Sequence, residues 1–320
     1  MSQLPLISIC IPAYKNAAFL DRLFQSIQQQ DFRDFEVVVS DDSPDDEVWQ
    51  LTRKYEKNFP IHYFKNNPSL GSPANWNYAI KQAKGAWIKI MHDDDWFNGT
   101  KALSCYFEHI KLRQDIRFFY AAYRNVNTSN GNVEVVKSSG FDRFLLQLSP
   151  LHLLRKNTIG NPSCIIVHRS APLFYEEKMK WVVDIDYYIQ LLKAGTKYAF
   201  ISQPLVDVGI SQEQITVSCF RNPAVELPEN LMLIEKYPPG QLMNLIVFDY
   251  FWRLFRNLPV TQIDEIRLHY PAYQNDRRLN YMISIQNRTG RKALSYKIIS
   301  KSMMLMTYVT VMVKWGAKRY

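Results

Sequence analysis

The first 120 residues alternate short apolar runs with longer amphipathic segments, and this alternation limits the fold more than any other feature of the chain. Nearly continuous apolar runs, such as 7–11 and 35–39, are typical of strands that are buried on both faces. The segment 17–30 between them places its apolar residues at helical spacing. Strand and helix in alternation predict an α/β fold, a Rossmann-like, doubly wound and mostly parallel sheet.

The same patterns predict further elements and a change of character near residue 215. Additional strands are expected at 61–64, 87–91, 118–122 and 163–167, and helices at 45–58, 73–84, 101–112 and 185–194. The remainder is helical and rich in aromatic residues. We therefore expect an α/β domain over residues 1–215, a helical extension packed on it over 216–275, and a C-terminal tail over 276–320.

The few glycines and cysteines exclude several classes of site. The chain has 11 glycines, and no two of them are separated by a single residue. This excludes the G-x-G-x-x-G dinucleotide motif and the glycine-rich phosphate loop. Four cysteines without a C-x-x-C pair argue against a disulfide framework and a thiolate zinc site. They indicate a reducing compartment.

The positive charge of the chain is concentrated at its C-terminal end. Residues 277–320 contain ten Lys and Arg and no Asp or Glu, whereas residues 1–276 contain 29 basic and 30 acidic residues. A localised basic segment indicates that the chain binds an anionic partner, either a membrane surface or a nucleic acid. Because apolar residues cover most of the predicted tail helix, we expect peripheral membrane contact and no nucleic-acid partner. The alternative to membrane contact is that the tail helix packs on the protein core or on a second subunit. In the second case, the protein is a homodimer.

Two acidic clusters follow predicted strands. Asp41 and Asp42 follow the second strand, and Asp93, Asp94 and Asp95 follow the strand at 87–91. Carboxylate oxygens are the ligands that Mg²⁺ and Mn²⁺ prefer, and such ions also bind phosphate oxygens. The clusters therefore indicate a divalent metal that holds a diphosphate. The alternative for each cluster is a solvated acidic turn or a helix N-cap.

Taken together, these motifs resemble those of the family 2 glycosyltransferases, nucleotide-sugar enzymes with the GT-A fold. The resemblance extends from Leu6 to about Gly195. It is carried by the stretches 9–16 (ICIPAYKN), 35–43 (FEVVVSDDS), 67–77 (NPSLGSPANWN) and 83–95 (AKGAWIKIMHDDD), in this order and spacing.

The resemblance implies roles for individual residues. The nucleotide-binding residues it implies are Pro12, Ala13, Tyr14, Asp41, Asp42, Asn77, Asp93 and Asp94. Tyr14 is expected to stack on the base, and Asp41 or Asp42 to accept a hydrogen bond from it. Asp93, Asp94 and Asp95 are expected to hold Mn²⁺ or Mg²⁺. Asp184 matches the general base of the family. Asp186, two residues further along the same predicted helix, points about 200° away and is not expected to share that role.

The chain departs from the family pattern at several positions. His92 precedes the acidic triplet, which leaves two D-x-D-like spacings open, Asp93/Asp95 and His92/Asp94. Trp76 occupies a position that is often basic, and Val183 replaces the usual Glu before Asp184. The Q-x-x-R-W motif of processive synthases is absent from the sequence, which favours transfer of a single sugar. Gln212 and Gln214 follow the last expected strand. They either contact the diphosphate or are polar residues of a loop without a role in binding.

The resemblance implies an inverting, metal-dependent hexosyltransferase. Its donor is a nucleotide-sugar, and a UDP-sugar is the donor we expect. The acceptor is a glycan or a lipid-linked sugar of bacterial surface polysaccharide synthesis. With no secretory signal at the N-terminus, we expect a cytoplasmic location at the inner face of the cell membrane. Two alternatives are a nucleotidyltransferase and a non-catalytic nucleotide-binding protein with a membrane-associating basic tail.

Overall fold

The computed structural model describes residues 4–172, 174–211, 219–258 and 260–315 of the 320-residue chain. The chain forms two compact units. Unit 1 comprises Met1–Pro150, Asn157–Glu177 and Val183–Gln214, and unit 2 comprises Leu151–Lys156, Lys178–Val182 and Ile215–Tyr320. The chain thus changes unit close to residue 215, and the segments expected at 216–275 and 276–320 both belong to unit 2.

Unit 1 is built on one mixed β-sheet. Its strands are β1 (Ile7–Ala13), β2 (Phe35–Asp41), β3 (Ile61–Lys65), β4 (Trp87–Ile90), β5 (Trp96–Phe97), β6 (Phe118–Asn127), β7 (Val133–Val136), β8 (Ile165–His168) and β9 (Tyr198–Ile210). Their order is β3-β2-β1-β4-β8-β6-β9-β5, and β7 pairs with β6. The half β3-β2-β1-β4 is entirely parallel, whereas β8 joins β4 and β6 in antiparallel orientation. The predicted α/β class is confirmed.

Six helices of unit 1 flank this sheet in the described part of the chain: α1 (Ala17–Gln28), α2 (Glu47–Tyr55), α3 (Ala74–Gln82), α4 (Ala102–Leu112), α5 (Gly140–Leu148) and α6 (Val183–Lys193). The apolar stripe of α1 is buried against strands β1 and β2, whose residues are all buried. Asn16 is the N-cap of α1, since its side-chain oxygen accepts the Phe19 N–H at 3.1 Å.

The parallel register brings the carboxyl ends of three strands together. Ala13 lies opposite Asp41 in the β1–β2 pair, and Cys10 lies opposite Ile90 in the β1–β4 pair. The residues that follow β1, β2 and β4 therefore emerge at one edge of the sheet. In open α/β sheets, this edge is where ligands bind.

Unit 2 is helical in its described residues. Its helices are α7 (Pro223–Glu235), α8 (Leu245–Asn257), α9 (Ile263–His269), α10 (Arg277–Thr289), α11 (Arg291–Ser295) and α12 (Lys297–Trp315). Helix α8 supplies the largest buried side chains of this unit, among them Trp252 and Phe255. None of the helices in the described ranges combines the length and the hydrophobicity that crossing a bilayer requires.

Candidate active site

The end of β1 exposes one aromatic ring. Tyr14 is 53% exposed, whereas Pro12 and Ala13 before it are buried in the sheet. Lys15 adopts a positive φ of 64°, and its N–H donates to the Ser43 hydroxyl at 2.7 Å. The Lys15 ammonium lies 4.8 Å from the centroid of the Tyr14 ring. The tyrosine ring thus offers an open face, with a cation beside it, at the edge where β1 and β2 end.

Asp41 at the end of β2 is buried and fully engaged with its surroundings. Its Oδ1 accepts the Ser43 N–H at 2.8 Å. Its Oδ2 accepts the Tyr63 hydroxyl at 2.6 Å and the Lys65 ammonium at 3.1 Å. The carboxylate therefore shapes the turn after β2 from within.

Two other residues assigned to the nucleotide hold loops together. Asp42 is buried and accepts the Asn66 amide at 2.8 Å and the Gly71 N–H at 2.7 Å. Asn77 is buried on α3, and its side chain both donates to the Tyr175 carbonyl and accepts the Tyr175 N–H, at 2.9 and 2.8 Å. These contacts fix the loop 66–71 and the segment around 175, and their roles toward a nucleotide remain predictions.

The acidic segment after β4 contains a cluster with the composition of a metal site. One ligand atom each of His92, Asp94 and Asp95 lies within 4.8 Å of the others. Asp93 points elsewhere, because its Oδ2 accepts the Tyr14 N–H at 3.1 Å. Of the two spacings that the sequence leaves open, the geometry favours His92/Asp94. Asp93 connects this segment to the end of β1 instead.

Main-chain and side-chain contacts hold this cluster in place. Asp95 is completely buried and accepts the Asn161 amide at 2.8 Å and the Gly209 N–H at 3.1 Å. Arg22 on α1 donates to the Asp94 carbonyl at 2.9 Å, and its guanidinium lies 3.7 Å from the centroid of the Trp96 ring. The loop is therefore fixed from both α1 and β9.

The electrostatics of the cluster fit a bound cation. Burial lowers the pKa of His92, which keeps the imidazole neutral, the form that coordinates metals. Burial also raises the pKa of Asp93 to about 7 and raises that of Asp95. The Nε2 atom of His92 is buried and has no hydrogen-bond partner among the described residues. An unpartnered imidazole nitrogen beside carboxylates that lack full solvation is an arrangement that a divalent cation stabilises.

Asp184 lies in the first turn of α6 and has the more accessible of the two carboxylates there. It is partly buried, and its Oδ2 accepts the Asn157 amide at 2.7 Å. Burial raises the pKa of Asp184 to about 6. Asp186 is completely buried and accepts the Gln190 amide at 2.6 Å. Partial exposure and a pKa of about 6 are compatible with a general base near neutral pH, and the role of Asp184 stays a prediction.

Asp184 and the acidic cluster are bound by the same short segment of the chain. The Asn157 amide donates to Asp184 at 2.7 Å, and the Asn161 amide donates to Asp95 at 2.8 Å. Both carboxylates thus bind residues that are only four positions apart. The structure brings the candidate base and the candidate metal ligands into a single region of unit 1.

The family assignment follows from comparison with known sequences. The model of the family described as "Glycosyl transferase family 2" matches residues 8–168, which is half of the chain. The protein belongs to glycosyl transferase family 2. The match covers β1 through β8 and includes the acidic segment, so the predicted family is confirmed.

Individual relatives and solved structures agree with the family 2 assignment. Over 94 residues, the chain is 34% identical to the GalNAc(5)-diNAcBac-PP-undecaprenol beta-1,3-glucosyltransferase of Campylobacter jejuni, a match that covers 29% of this chain and 30% of the relative. The structure of S. aureus TarS 1-349 in complex with UDP-GlcNAc superposes with a TM-score of 0.63 at 16% identity, over 98% of this chain and 93% of TarS 1-349.

A second solved structure is the mannosyltransferase PcManGT from Pyrobaculum calidifontis in complex with GDP-Man and Mn²⁺. It superposes with a TM-score of 0.57 at 13% identity, over 99% of this chain and 89% of that structure. At these identities the structural likeness shows the fold, which is the expected GT-A fold. The chain spans 62% and 30% of the length of two curated relatives that it matches.

Three residues of this family 2 site are not apparent from the sequence. Asn157 binds Asp184 from 27 residues away, Arg22 binds the Asp94 carbonyl from 72 residues away, and Gly209 binds Asp95 from 114 residues away. Each belongs to a residue type that is common in loops and helices. Only the folded arrangement assigns these residues to the site. Gln212 and Gln214 lie outside the described residues.

Proposed function

We propose that the protein transfers one sugar from a nucleotide-sugar, a UDP-sugar in the first instance, to a hydroxyl group with inversion at the anomeric carbon. The observation that carries this proposal is that segment 157–161 binds both Asp184 and the His92/Asp94/Asp95 cluster, through Asn157 and Asn161. An inverting transfer needs a base for the acceptor hydroxyl and a site for the leaving diphosphate. Family membership supports this choice of reaction.

The donor contacts extend from the end of β1. The exposed ring of Tyr14 is available to stack on a nucleobase, and we assign Pro12 and Ala13, which are buried at the end of β1, to the support of this part of the nucleotide site. We assign Asp41 and Asp42 to the part of the site around the nucleobase, and Asn77 to the part around the rest of the nucleotide. Because their side chains already bind protein groups, their contribution is to shape the loops that surround the nucleotide.

The metal ligands of the proposed site are His92, Asp94 and Asp95. A divalent cation bound there would neutralise the charge that develops on the leaving diphosphate. An imidazole in the ligand set favours Mn²⁺ over Mg²⁺, since Mg²⁺ selects oxygen ligands. The mannosyltransferase PcManGT, which shares the fold, was solved with Mn²⁺.

The chemical step assigns a defined role to Asp184. Its carboxylate accepts the proton of the acceptor hydroxyl while the hydroxyl oxygen attacks the anomeric carbon from the face opposite the leaving group. The Asn157 amide orients this carboxylate through its bond to Oδ2. The pKa of about 6 leaves Asp184 ionised at neutral pH and still basic enough to accept a proton.

The acceptor is proposed from the relatives. One acts, by its name, on an undecaprenol-linked glycan, and TarS is named a poly(ribitol-phosphate) beta-N-acetylglucosaminyltransferase. We assign a glycan or lipid-linked acceptor of bacterial surface polysaccharide synthesis to this protein as well. The proposed location is the cytoplasm, with peripheral contact between the C-terminal segment and the inner face of the membrane.

The experiment that tests this function measures release of nucleoside diphosphate from UDP-, GDP- and dTDP-sugars, with and without Mn²⁺. A transferase releases nucleoside diphosphate in the presence of metal and acceptor. A parallel reaction with a nucleoside triphosphate and a sugar 1-phosphate that releases pyrophosphate, while the nucleotide-sugars release no nucleoside diphosphate, would identify a nucleotidyltransferase. Binding of nucleotide without any release would identify a non-catalytic protein, and either result contradicts the proposal.

A further inference from the structure

Helix α12 buries a narrow face of two polar and two apolar residues and exposes most of its large apolar side chains. The side chains buried against unit 2 are Ser300, Met304, Thr307 and Val311. The opposite side exposes a set of large apolar side chains, here called the outer face of α12: Ile298, Leu305, Met306, Val309, Met312 and Val313. At 100° per residue, this outer face occupies an arc of roughly 120°. An apolar arc of this width normally faces a protein core.

Specific contacts fix this orientation of α12. Ser300 accepts the Trp252 indole N–H at 3.1 Å within the core of unit 2. The Thr307 hydroxyl donates to the Met303 carbonyl at 2.7 Å, which satisfies it locally. The Tyr308 hydroxyl donates to the Met243 carbonyl at 2.7 Å. Rotating the helix to bury the outer face would break the Ser300 and Tyr308 hydrogen bonds to other parts of unit 2.

Basic side chains accompany the outer face on α12 and on the two helices that precede it. Six basic side chains of this region are exposed: Arg288, Arg291, Lys292, Lys297, Lys301 and Lys314. Lys301 and Lys314 lie on either side of the apolar arc at helical spacing. Residues 277–320 contain no acidic residue, and Lys301 reaches Asp249 on α8 for its ion pair at 2.9 Å. An exposed Tyr296 precedes the helix.

These charges distinguish between the two partners that an apolar helix face can have. A two-fold pair of α12 helices would place the basic rim of one copy beside the same rim of the other, and like charges oppose such a contact. An anionic bilayer offers hydrocarbon for the apolar arc and negative headgroups for the rim. Tyrosine side chains also favour the membrane–water interface.

We propose that the outer face of α12 docks the protein on an anionic lipid bilayer, with the helix lying in the plane of the interface. The inference deepens the proposed function and rests on its peripheral membrane contact. It assigns that contact to six apolar side chains and the lysines and arginines around them. The partner is the lipid surface itself.

Flotation of the full-length protein with vesicles tests this surface. We expect wild type to float with vesicles of phosphatidylcholine containing one third phosphatidylglycerol and to stay at the bottom with phosphatidylcholine alone. The triple variant Ile298→Gln/Met306→Gln/Val313→Gln should bind at least about tenfold more weakly, because its apolar contact with the bilayer is removed. The matched control is Leu112→Gln/Leu268→Gln, which changes equally exposed leucines on α4 and α9 and should float like wild type.

A second variant tests the charge. Replacing Arg291 and Lys297 by Gln should weaken binding roughly fivefold for each charge removed and should leave the apolar arc intact. Equal flotation of wild type and the triple variant overturns the proposal, as does failure of wild type to float. A dimer of wild type that the triple variant converts to monomer, measured by light scattering without flotation of either, identifies a second copy as the partner and also overturns it.

The same preparations separate this inference from the transferase activity. Nucleoside diphosphate release is measured with a soluble acceptor and no vesicles. The triple variant should keep wild-type release, because α12 contributes no residue to the proposed site. Vesicle binding without nucleoside diphosphate release would leave the docking surface intact and contradict the transferase proposal alone.

Discussion

At the residue scale, Asp184 and Asp186 provide the most direct test of the proposed chemistry. Asp184 is partly exposed and bound by Asn157, whereas Asp186 is buried and bound by Gln190. We expect Asp184→Asn to lower turnover by about 10²- to 10⁴-fold, the usual effect of losing a general base. Metal-dependent binding of UDP should be unchanged. Asp186→Asn is the matched control and should retain most activity; the reverse pattern would assign the base to Asp186.

The pKa of Asp184 predicts a pH dependence. Only the carboxylate form accepts a proton, and the pKa of about 6 leaves nearly all molecules ionised at pH 8. At saturating donor and Mn²⁺, turnover should fall below pH 6 and reach about a tenth of its plateau at pH 5. Removing the Asn157 hydrogen bond to the charged form raises the pKa of Asp184, so Asn157→Ala should move this fall to higher pH. A pH profile that is identical in wild type and Asn157→Ala would contradict this role of the amide.

The acidic segment predicts different effects of neighbouring substitutions. His92 and Asp94 belong to the metal cluster, whereas Asp93 accepts a main-chain N–H from Tyr14. We expect His92→Ala and Asp94→Asn each to weaken Mn²⁺-dependent UDP binding by at least about tenfold, because each removes a ligand atom. Asp93→Asn should have a smaller effect. Calorimetric titration of UDP with and without Mn²⁺ measures this, and a larger loss in Asp93→Asn would favour the Asp93/Asp95 spacing instead.

At the element scale, β9 contacts the acidic segment 92–95 at Gly209. A Cβ atom at Gly209 would lie 2.4 Å from the Asp94 carbonyl oxygen, and the Gly209 N–H binds Asp95. Gly209→Ala should therefore displace the loop, lower stability by about 1–3 kcal/mol and weaken metal-dependent UDP binding. The matched control is Gly240→Ala, where a Cβ meets no atom within 4 Å. Denaturant unfolding and UDP titration check both; wild-type binding by Gly209→Ala would show that the loop tolerates the displacement.

The elements also show how far the sequence determines the fold. The parallel half of the sheet was predictable because buried strands such as β1 and β2 have continuous apolar sequences. The antiparallel position of β8 and the parallel β6–β9 pairing depend on contacts between distant residues, which periodicity does not reveal. The same holds for the site: the acidic segment was recognisable, but its ligand spacing and its partners Arg22 and Gly209 required the folded arrangement.

At the scale of the whole molecule, the C-terminal helices are part of the core of unit 2. Leu294, Met304 and Val311 are buried, and Ser300 binds Trp252. Deleting residues from 291 onward would therefore expose apolar surface and leave the Trp252 indole without its partner. For this reason, surface substitutions on α12 are better tests of membrane contact than a truncation.

Donor binding should be visible in the stability of the complete chain. A ligand that binds only the folded state at 100 times its Kd stabilises that state by about 2.7 kcal/mol. For a chain of this length, such a gain corresponds to an increase in Tm of roughly 4 °C. We expect Mn²⁺ with a UDP-sugar to produce this increase, and Mn²⁺ or the UDP-sugar alone to produce much less, because in the proposed site the diphosphate and the cation bind together at His92, Asp94 and Asp95. Differential scanning calorimetry with UDP-, GDP- and dTDP-sugars identifies the donor. The Asp94→Asn variant is the control and should lose the shift, and an equal shift without Mn²⁺ would contradict a donor site that depends on metal.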